Sequence, residues 1–254
     1  MPQSAGNGQS SQTAADATTG RALARFRSRF SPAGWFVLQL AAGAVLFVAA
    51  AWLFGGIAED VVEKDPITVL DAEIAAWLHL RAFAPFTRFM LAVSLLHGIA
   101  GICAMATLFA LYLLWKRERW WLLALLLAVP GGMLLNVGMK YAFHREWPHF
   151  DDPLVTLSTF SFPSGHTLAA TVFYGTLAAY LLVRLPATGA RCAVLGAAAL
   201  LITLVAFSRM YLGAHFLSDV LAAVAEGIAW LSLCLMATAT LQRRTVLQRG
   251  IRAA

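Results

Sequence analysis

Residues 120–143 read WWLLALLLAVPGGMLLNVGMKYAF, and Lys140 is the one charged side chain among them. A helix that crosses the hydrocarbon core of a bilayer needs about 20 predominantly apolar residues. An apolar run of this length is typical of membrane proteins and rare in proteins surrounded by water. The segment therefore predicts a transmembrane helix, and it assigns the chain to the membrane proteins.

The composition of the whole chain supports the same class. Hydrophobic residues make up 60% of the 254 residues, charged residues make up 13%, and the mean hydropathy is +0.71. Soluble domains contain about 45–50% apolar and about 25% charged residues. The charged residues are too few to cover a water-facing surface of this size, so we expect one membrane domain.

Five more segments are apolar and long enough to span a bilayer. The sequence thus predicts an all-α fold, a six-transmembrane helical bundle. The first span has an alternative interpretation as a cleaved signal peptide, because Ala49, Ala50 and Ala51 resemble a cleavage site. Its apolar run continues to Ile57, which is longer than a usual signal core. The six predicted spans are residues 35–58, 89–115, 120–143, 167–185, 190–208 and 216–240.

Polar segments flank and interrupt this membrane domain. Residues 1–33 begin with many small and polar side chains and predict a disordered cytoplasmic tail. Residues 34–242 hold the six spans, and residues 243–254 predict a basic cytoplasmic tail. Between the first two spans, residues 59–88 carry apolar side chains at helical spacing, which predicts an amphipathic helix on the membrane surface. These side chains are Ile67, Leu70, Ile74, Trp77 and Leu78.

The positions of Lys and Arg predict how the chain crosses the membrane. Arginines precede the first span and follow the sixth, and basic residues occupy the links between spans two and three and between spans four and five. Loops rich in Lys and Arg stay on the cytoplasmic side. Both termini are therefore predicted to be cytoplasmic, and the other three links face outward. The same distribution explains the net charge of +6 without nucleic acid as a partner.

Two of the outward-facing links concentrate ionisable residues. The link between spans three and four begins with KYAFHREWP at residues 140–148 and ends with FPSGHT at residues 162–167. The link between spans five and six reads SRMYLGAHFLSD at residues 208–219. Ionisable groups in or beside spans are costly and indicate functional sites. Because the two links lie on one face of the membrane, they could build a single site.

The residue types in these links suit an anion and a nucleophile. Lys140 and Arg209 could hold a phosphoryl group and offset the charge that develops during its transfer. Ser164 and Gly165 precede a helix and could direct a hydroxyl and free backbone N–H groups at an anion. The three cysteines lie in apolar runs without paired spacing, so we predict no metal site.

Two histidines complete the parts that phosphoryl transfer needs. His215 and Asp219 are four residues apart and share one face of a helix. The carboxylate could accept the Nδ1 proton and leave Nε2 free to attack phosphorus. His166, at the start of the fourth span, is placed to protonate a leaving oxygen. Inside the spans, Asn136 and Glu226 are expected to form hydrogen bonds between helices, although Glu226 could also relay protons.

The three segments resemble the motifs of the type 2 phosphatidic acid phosphatase (PAP2) superfamily, in particular its bacterial membrane lipid phosphatases. Those motifs are Lys-x6-Arg-Pro, Pro-Ser-Gly-His and Ser-Arg-x5-His-x3-Asp. The second is unaltered at residues 163–166, and the third is complete at Ser208, Arg209, His215 and Asp219. The resemblance extends over about residues 70–240. It implies a bundle of the PAP2/haloperoxidase type and a hydrolysis that uses neither metal nor cofactor.

The resemblance also implies a role for each motif residue. His215 would attack phosphorus and form a phosphohistidine, His166 would protonate the leaving group, and Asp219 would orient His215. The phosphoryl oxygens would be held by Lys140, Arg209, Ser164 and the backbone of Gly165.

The first motif departs from the family pattern. Lys140 and Pro148 match, but Trp147 stands where the family has Arg. Arg145 lies two residues earlier and could compensate as a phosphate ligand. The alternative is a narrowed substrate range or a low activity.

The predicted function is a membrane lipid phosphatase, with its site on the extracytoplasmic side of the inner (plasma) membrane. Its substrate would be a lipid phosphate or diphosphate of the phosphatidate, phosphatidylglycerophosphate or undecaprenyl diphosphate class. One alternative is a catalytically weakened family member that binds lipid phosphate. The other is a transporter, for which the charges would be spread through several spans. The lipid and the oligomeric state are left open.

Overall fold

The computed structural model describes residues 32–155 and 159–253. This part of the chain is helical and contains no strand, so the predicted all-α class is confirmed. The predicted tail of residues 1–33 lies almost entirely outside the described residues. In chain order the helices are α1 Pro32–Glu63, α2 Pro66–His79, α3 Ala84–Leu96, α4 Ile99–Trp115, α5 Arg119–Phe143, α6 Gly165–Leu182, α7 Thr188–Tyr211 and α8 Leu217–Ala253.

The described helices include four that could each cross a membrane by length and composition, namely α1, α5, α7 and α8. A fifth span results if α3 and α4 are taken together. The predicted count of six spans is therefore not confirmed. The predicted span that is missing from this count is 167–185. It corresponds to α6, which carries several Thr and Tyr residues. Since α6 is surrounded by other helices, its side chains do not need the apolar character that contact with lipid demands.

Helix α6 is the centre of the bundle. It packs against α5, α7 and α8, and ten of its 18 residues are buried. The main hydrophobic cluster joins Val172 and Phe173 of α6 to Leu125 and Val129 of α5. Burial of such side chains stabilises the fold through close packing as well as loss of apolar surface. The site residues at the start of α6 are thus attached to the most enclosed helix.

The predicted span 89–115 is not one helix, which corrects the sequence-based expectation. The structure breaks it at His97 and Gly98 into α3 and α4, which are bent by 52°. A side chain at Gly98 would be tightly packed, because a Cβ there would lie 3.3 Å from the Leu95 carbonyl oxygen. The break turns His97 toward the interior of the bundle.

Helix α2 occupies the segment for which an amphipathic helix was predicted, and its position at the membrane surface stays a prediction. The helix contacts α1, α7 and α8. Its inner face contains Ala75 and Leu78, whereas Leu70 and Trp77 are exposed. The inner face also contains Asp71, which is buried. This face is therefore not purely apolar.

Helix α8 is the longest element and packs along α1. It contains 37 residues, which corresponds to about 55 Å at the rise of an α-helix. The hydrocarbon core of a bilayer is about 30 Å thick. Helix α8 is therefore longer than the apolar layer is thick, and the predicted tail of residues 243–254 continues this helix as far as Ala253.

Candidate active site

A cavity of about 390 Å³ lies between α4, α5, α6 and the turn that connects α7 to α8. Its walls combine apolar side chains, such as Ile102 and Met133, with ionisable ones. The structure thus brings together residues of both predicted links in one place. The polar side chains that line the cavity are His97, Asn136, Lys140, Thr159, His166, Arg209 and His215.

The turn between α7 and α8 explains how Arg209 and His215 come together. Gly213 adopts a φ of +66°, a left-handed conformation that ends α7. The backbone N–H groups of Ala214 and His215 then both donate to the Arg209 carbonyl oxygen, at 2.9 and 3.2 Å. A side chain at Gly213 would meet the Phe150 ring, because a Cβ there would lie 2.9 Å from it.

His215 is held by Asp219, as the spacing predicted. The Nδ1 atom of His215 lies 3.3 Å from Oδ2 of Asp219, and the same oxygen accepts a hydrogen bond from the Phe216 backbone N–H at 3.0 Å. Burial lowers the pKa of His215 well below its usual value, and the positive charges of Arg209 and Lys140 lower it further. The imidazole is therefore neutral at pH 7. In the tautomer whose proton is on Nδ1, that proton is donated to Asp219, and the lone pair of Nε2 is free.

Two cations face the same cavity. Arg209 is 5% exposed and donates through Nη1 to the Ser94 hydroxyl, while its buried Nε has no partner among the described residues. The Nζ atom of Lys140 donates to the carbonyl oxygens of Phe160 and Ser161. A buried guanidinium with an unused donor is suited to an anionic group, because such a donor is costly to leave unpaired.

The Pro-Ser-Gly-His segment contributes only part of what was expected. His166 and Gly165 line the cavity, as predicted for a site at the start of α6. The Ser164 hydroxyl, a predicted phosphate ligand, instead pairs with the Thr167 hydroxyl at 3.0 Å and is fully buried. The Ser164 backbone N–H donates to the Asp219 carbonyl oxygen at 3.1 Å. Ser164 therefore joins the two motif segments rather than facing the cavity.

Arg145 also has a different environment from the predicted one. Its guanidinium does not line the cavity and instead bridges two buried carboxylates. Nη1 donates to Oδ1 of Asp219 at 2.5 Å, and Nη2 donates to Oδ2 of Asp71 at 2.8 Å. Three of its five N–H donors go to Ser218, Asp219 and Asp71, so this arrangement does not favour Arg145 as a phosphate ligand, and that role stays a prediction.

Trp147 covers the proposed nucleophile. Its ring centroid lies 4.7 Å from that of His215, and the Nζ atom of Lys140 lies 5.0 Å from the indole centroid. The indole Nε1 donates to the Thr159 carbonyl oxygen, which holds the ring in place. An aromatic wall thus occupies the position at which the family motif has a cation.

Two buried polar residues were not predicted from the sequence. His97 lines the cavity and contacts the Tyr174 hydroxyl at 2.7 Å through Nε2. It is an ionisable residue inside a predicted span, which is a usable signal. Asp71 is spaced four and three residues from Ile67 and Ile74, so it lies on the apolar stripe of α2. A carboxylate on such a stripe indicates a buried partner.

Asn136 and Glu226, each expected to form a hydrogen bond between helices, bond to each other. Nδ2 of Asn136 donates to Oε2 of Glu226 at 3.1 Å and approaches the Pro163 carbonyl oxygen at 3.3 Å. The other carboxylate oxygen of Glu226 is buried without a partner among the described residues. This contact connects α5 and α8 to the Pro-Ser-Gly-His segment.

In the described part of the chain, no group of three or more His, Cys, Asp or Glu side chains is arranged to hold a metal ion. Asp152, which with Asp151 resembles a metal pair in the sequence, instead contacts Nε2 of His79 at 2.7 Å on the surface.

Comparisons with known proteins give the same family that the motifs resemble. The family model described as PAP2 superfamily matches residues 121–243. Phosphatidylglycerophosphatase B of Bacillus subtilis (strain 168) is 39% identical to this chain over 113 residues. That match covers 44% of this chain and 55% of the relative, so the chain spans little more than half the length of this curated protein.

Two solved structures share the fold. The crystal structure of a transmembrane PAP2-type phosphatidylglycerolphosphate phosphatase from Bacillus subtilis has a TM-score of 0.68 and 28% identity, and the match covers 74% of this chain and 93% of that one. The Aquifex aeolicus LpxE structure has a TM-score of 0.54 and 22% identity, and covers 65% of this chain and 94% of that one. The second similarity shows the fold alone.

The fold, the apolar helices and the motif geometry together define an integral membrane protein with a PAP2-type helical bundle. Its residues 121–243 match the PAP2 superfamily model, the family that the motifs resemble.

The contact between Asn136 and Glu226 generates a test of stability. Asn136→Ala removes the hydrogen bond to Oε2 of Glu226, so neither oxygen of this buried carboxylate keeps a partner among the described residues. An unsatisfied buried polar group costs about 1–3 kcal/mol, more if it is charged. We expect a lower thermal unfolding midpoint in detergent, and partial recovery when Glu226→Leu is added. Leu134→Ala, at an exposed position on the same helix, is the control. An Asn136→Ala protein that unfolds at the wild-type temperature would contradict the contact.

Proposed function

We propose that this protein is a membrane lipid phosphatase that works through a phosphohistidine intermediate. The observation that supports this most directly is that His166 and His215 line one cavity together with Lys140 and Arg209. A nucleophile, a proton donor and two cations are the parts that phosphoryl transfer requires. The sequence identity to a phosphatidylglycerophosphatase adds support.

In the proposed reaction, Nε2 of His215 attacks phosphorus and forms a P–N bond as the bond to the lipid oxygen breaks. For this step His166 carries a proton on both ring nitrogens, a form that the bound phosphoryl anion favours. It gives one of these protons to the lipid oxygen, which leaves as an alcohol or as a phosphate. A water molecule then attacks phosphorus, His166 takes a proton from it, and the P–N bond breaks. Inorganic phosphate is released, and both histidines return to their first state.

The surrounding residues would assist each step through charge. Lys140 and Arg209 hold the phosphoryl oxygens and offset the negative charge that grows in the transition state. Asp219 accepts the Nδ1 hydrogen bond and stabilises the positive charge that His215 gains on attack. No step in this scheme requires a metal ion.

The walls of the cavity indicate a lipid as the substrate. Ile99, Ile102, Met133 and Val137 line its apolar side next to the cations. A site with cations beside an apolar wall is suited to an amphiphile. The phosphate head group of such a molecule would reach the cations while its chains stay in the apolar region. The substrate classes that fit are phosphatidate, phosphatidylglycerophosphate and undecaprenyl diphosphate.

Replacement of the nucleophile is the first test. We expect His215→Ala to reduce phosphate release from these lipids by at least about 10³-fold, because removal of a catalytic nucleophile has effects of this size or larger. The assay uses purified protein in EDTA with a panel of lipid mono- and diphosphates. His149→Ala, at an exposed loop histidine, is the matched control. Retained activity in His215→Ala would remove His215 as the nucleophile.

We also propose that the active site faces the extracytoplasmic side and that both termini are cytoplasmic. The support is the distribution of Lys and Arg among the links. The loop before α6 would then lie outside, and the short link between α4 and α5 would lie inside.

Thiol labelling tests this orientation. In a variant without native cysteines, His149→Cys is expected to react with a membrane-impermeant reagent in spheroplasts, since both the residue and its loop are exposed. Lys116→Cys, exposed in the opposite link, is expected to react only after permeabilisation. The reverse pattern would show that the site faces the cytoplasm.

A second candidate function is a weakened family member that binds lipid phosphate with slow turnover. The contact of Trp147 with both His215 and Lys140 favours it, because an indole cannot supply the charge of an arginine at this place.

Trp147→Arg tests this second candidate. A charge-assisted hydrogen bond contributes about 1.5–3 kcal/mol, which corresponds to a gain in kcat of about 10- to 150-fold if the missing cation limits turnover. Trp147→Phe removes the indole N–H without adding charge and is expected to leave kcat low. The measurement is kcat on the best lipid of the panel. Unchanged or lower turnover in Trp147→Arg would instead indicate that the indole shapes the site for its substrate.

A further inference from the structure

Asp71 is a buried carboxylate that neither the motifs nor the family match includes. It lies on α2, outside residues 121–243, and is 1% exposed. Both of its oxygens are used. Oδ1 accepts the backbone N–H of Ser218 at 2.9 Å, and Oδ2 accepts hydrogen bonds from the Ser218 hydroxyl and from Arg145 at 2.8 Å.

These contacts place Asp71 at the start of the helix that carries Asp219. Ser218 is the second residue of α8, and its N–H is one of the groups that have no partner within the helix. A carboxylate at this position satisfies the free donor and interacts favourably with the positive end of the helix dipole. Asp71 therefore holds the first turn of α8 from a different part of the chain.

Arg145 connects Asp71 to the proposed nucleophile. Its guanidinium contacts Asp71 through Nη2 and Asp219 through Nη1, and it lies over the Phe216 ring at 4.4 Å. Asp219 in turn contacts Nδ1 of His215. A continuous series of charged contacts thus leads from α2 to the imidazole.

The balance of charge in this series suits the reaction. Within this series two carboxylates share one guanidinium, so its net charge is negative while His215 is neutral. When His215 attacks phosphorus, its ring becomes positive and the series becomes neutral. Without the charge of Asp71, the guanidinium would act on Asp219 alone, and Asp219 would stabilise the positive ring less well.

We propose that Asp71 and Arg145 are positioning residues for the phosphoryl transfer, acting through Asp219 on His215. Asp71 shares the charge of Arg145 and fixes the first turn of α8. It thereby keeps Asp219 aligned with Nδ1 and sufficiently negative to support the attack. Neither residue lines the cavity, so neither is expected to bind the substrate.

This inference rests on the proposed phosphatase function, and Asp71→Asn tests it with nearly unchanged shape. We expect kcat to fall about 10- to 100-fold, the usual effect of losing a group that orients a reacting one. The KM should stay within about twofold, because Lys140 and Arg209 bind the phosphate without contacting Asp71. Glu73→Gln, which removes an exposed carboxylate from the same helix, is the matched control and should behave as the wild type.

A second measurement needs no substrate. Diethyl pyrocarbonate modifies neutral imidazole, and mass spectrometry follows the modification of His215. A less negative Asp219 makes the imidazole a weaker nucleophile, so we expect severalfold slower modification in Asp71→Asn than in the wild type or Glu73→Gln. If the wild type releases no phosphate but this difference is found, the proposed function fails and the positioning role stands.

The opposite results would overturn the inference. An active wild type combined with an Asp71→Asn variant of unchanged kcat and unchanged modification rate would exclude the role, and so would a change confined to KM. If Asp71→Asn does not fold in detergent, Ser218→Ala decides, because it removes the hydroxyl shared by Asp71 and Arg145 and keeps the backbone N–H. Its kcat should fall severalfold, and an unchanged kcat would count against the inference.

Discussion

A charge buried among membrane helices has no water to solvate it, so it needs an opposite charge or a hydrogen bond nearby. This constraint determines the arrangement around Arg145, whose guanidinium lies between the carboxylates of Asp71 and Asp219. The three residues come from α2, from the loop after α5 and from α8. Their attraction ties together parts of the chain that are far apart in sequence, and the positions of His215 and of the start of α8 depend on it.

The cavity next to this cluster also contains buried cations, but their partners differ from those of Arg145. Arg209 keeps one buried donor without a partner, and Lys140 is bound to carbonyl oxygens rather than to a carboxylate. These cations therefore still have the capacity to bind an anion, whereas Arg145 donates to Asp71, Ser218 and Asp219. The two arginines therefore differ in their partners. Trp147, and not a third cation, lies against His215.

Much of the candidate site could be predicted from the sequence because its spacing is local. His215 and Asp219 are one helical turn apart, and their contact needs little beyond the helix itself. The membership of Lys140, His166, Arg209 and His215 in one site followed from the motifs and from the expected sharing of a membrane face. The break at His97 and Gly98 could not be predicted with the same method. Hydropathy averaged over a window is not sensitive to one residue pair at which a helix changes direction.

By itself, the sequence determined that the chain enters a bilayer, that it is helical, and which residue types could meet an anion. Those properties depend on composition and on short-range periodicity, which are present in any stretch of the chain. Only the tertiary structure decided that Arg145 contacts Asp71 and Asp219, that the Ser164 hydroxyl turns to Thr167, and that α6 is central. Such choices depend on which donor and acceptor meet when distant helices pack, and each buried group takes the partner that packing brings within hydrogen-bond distance.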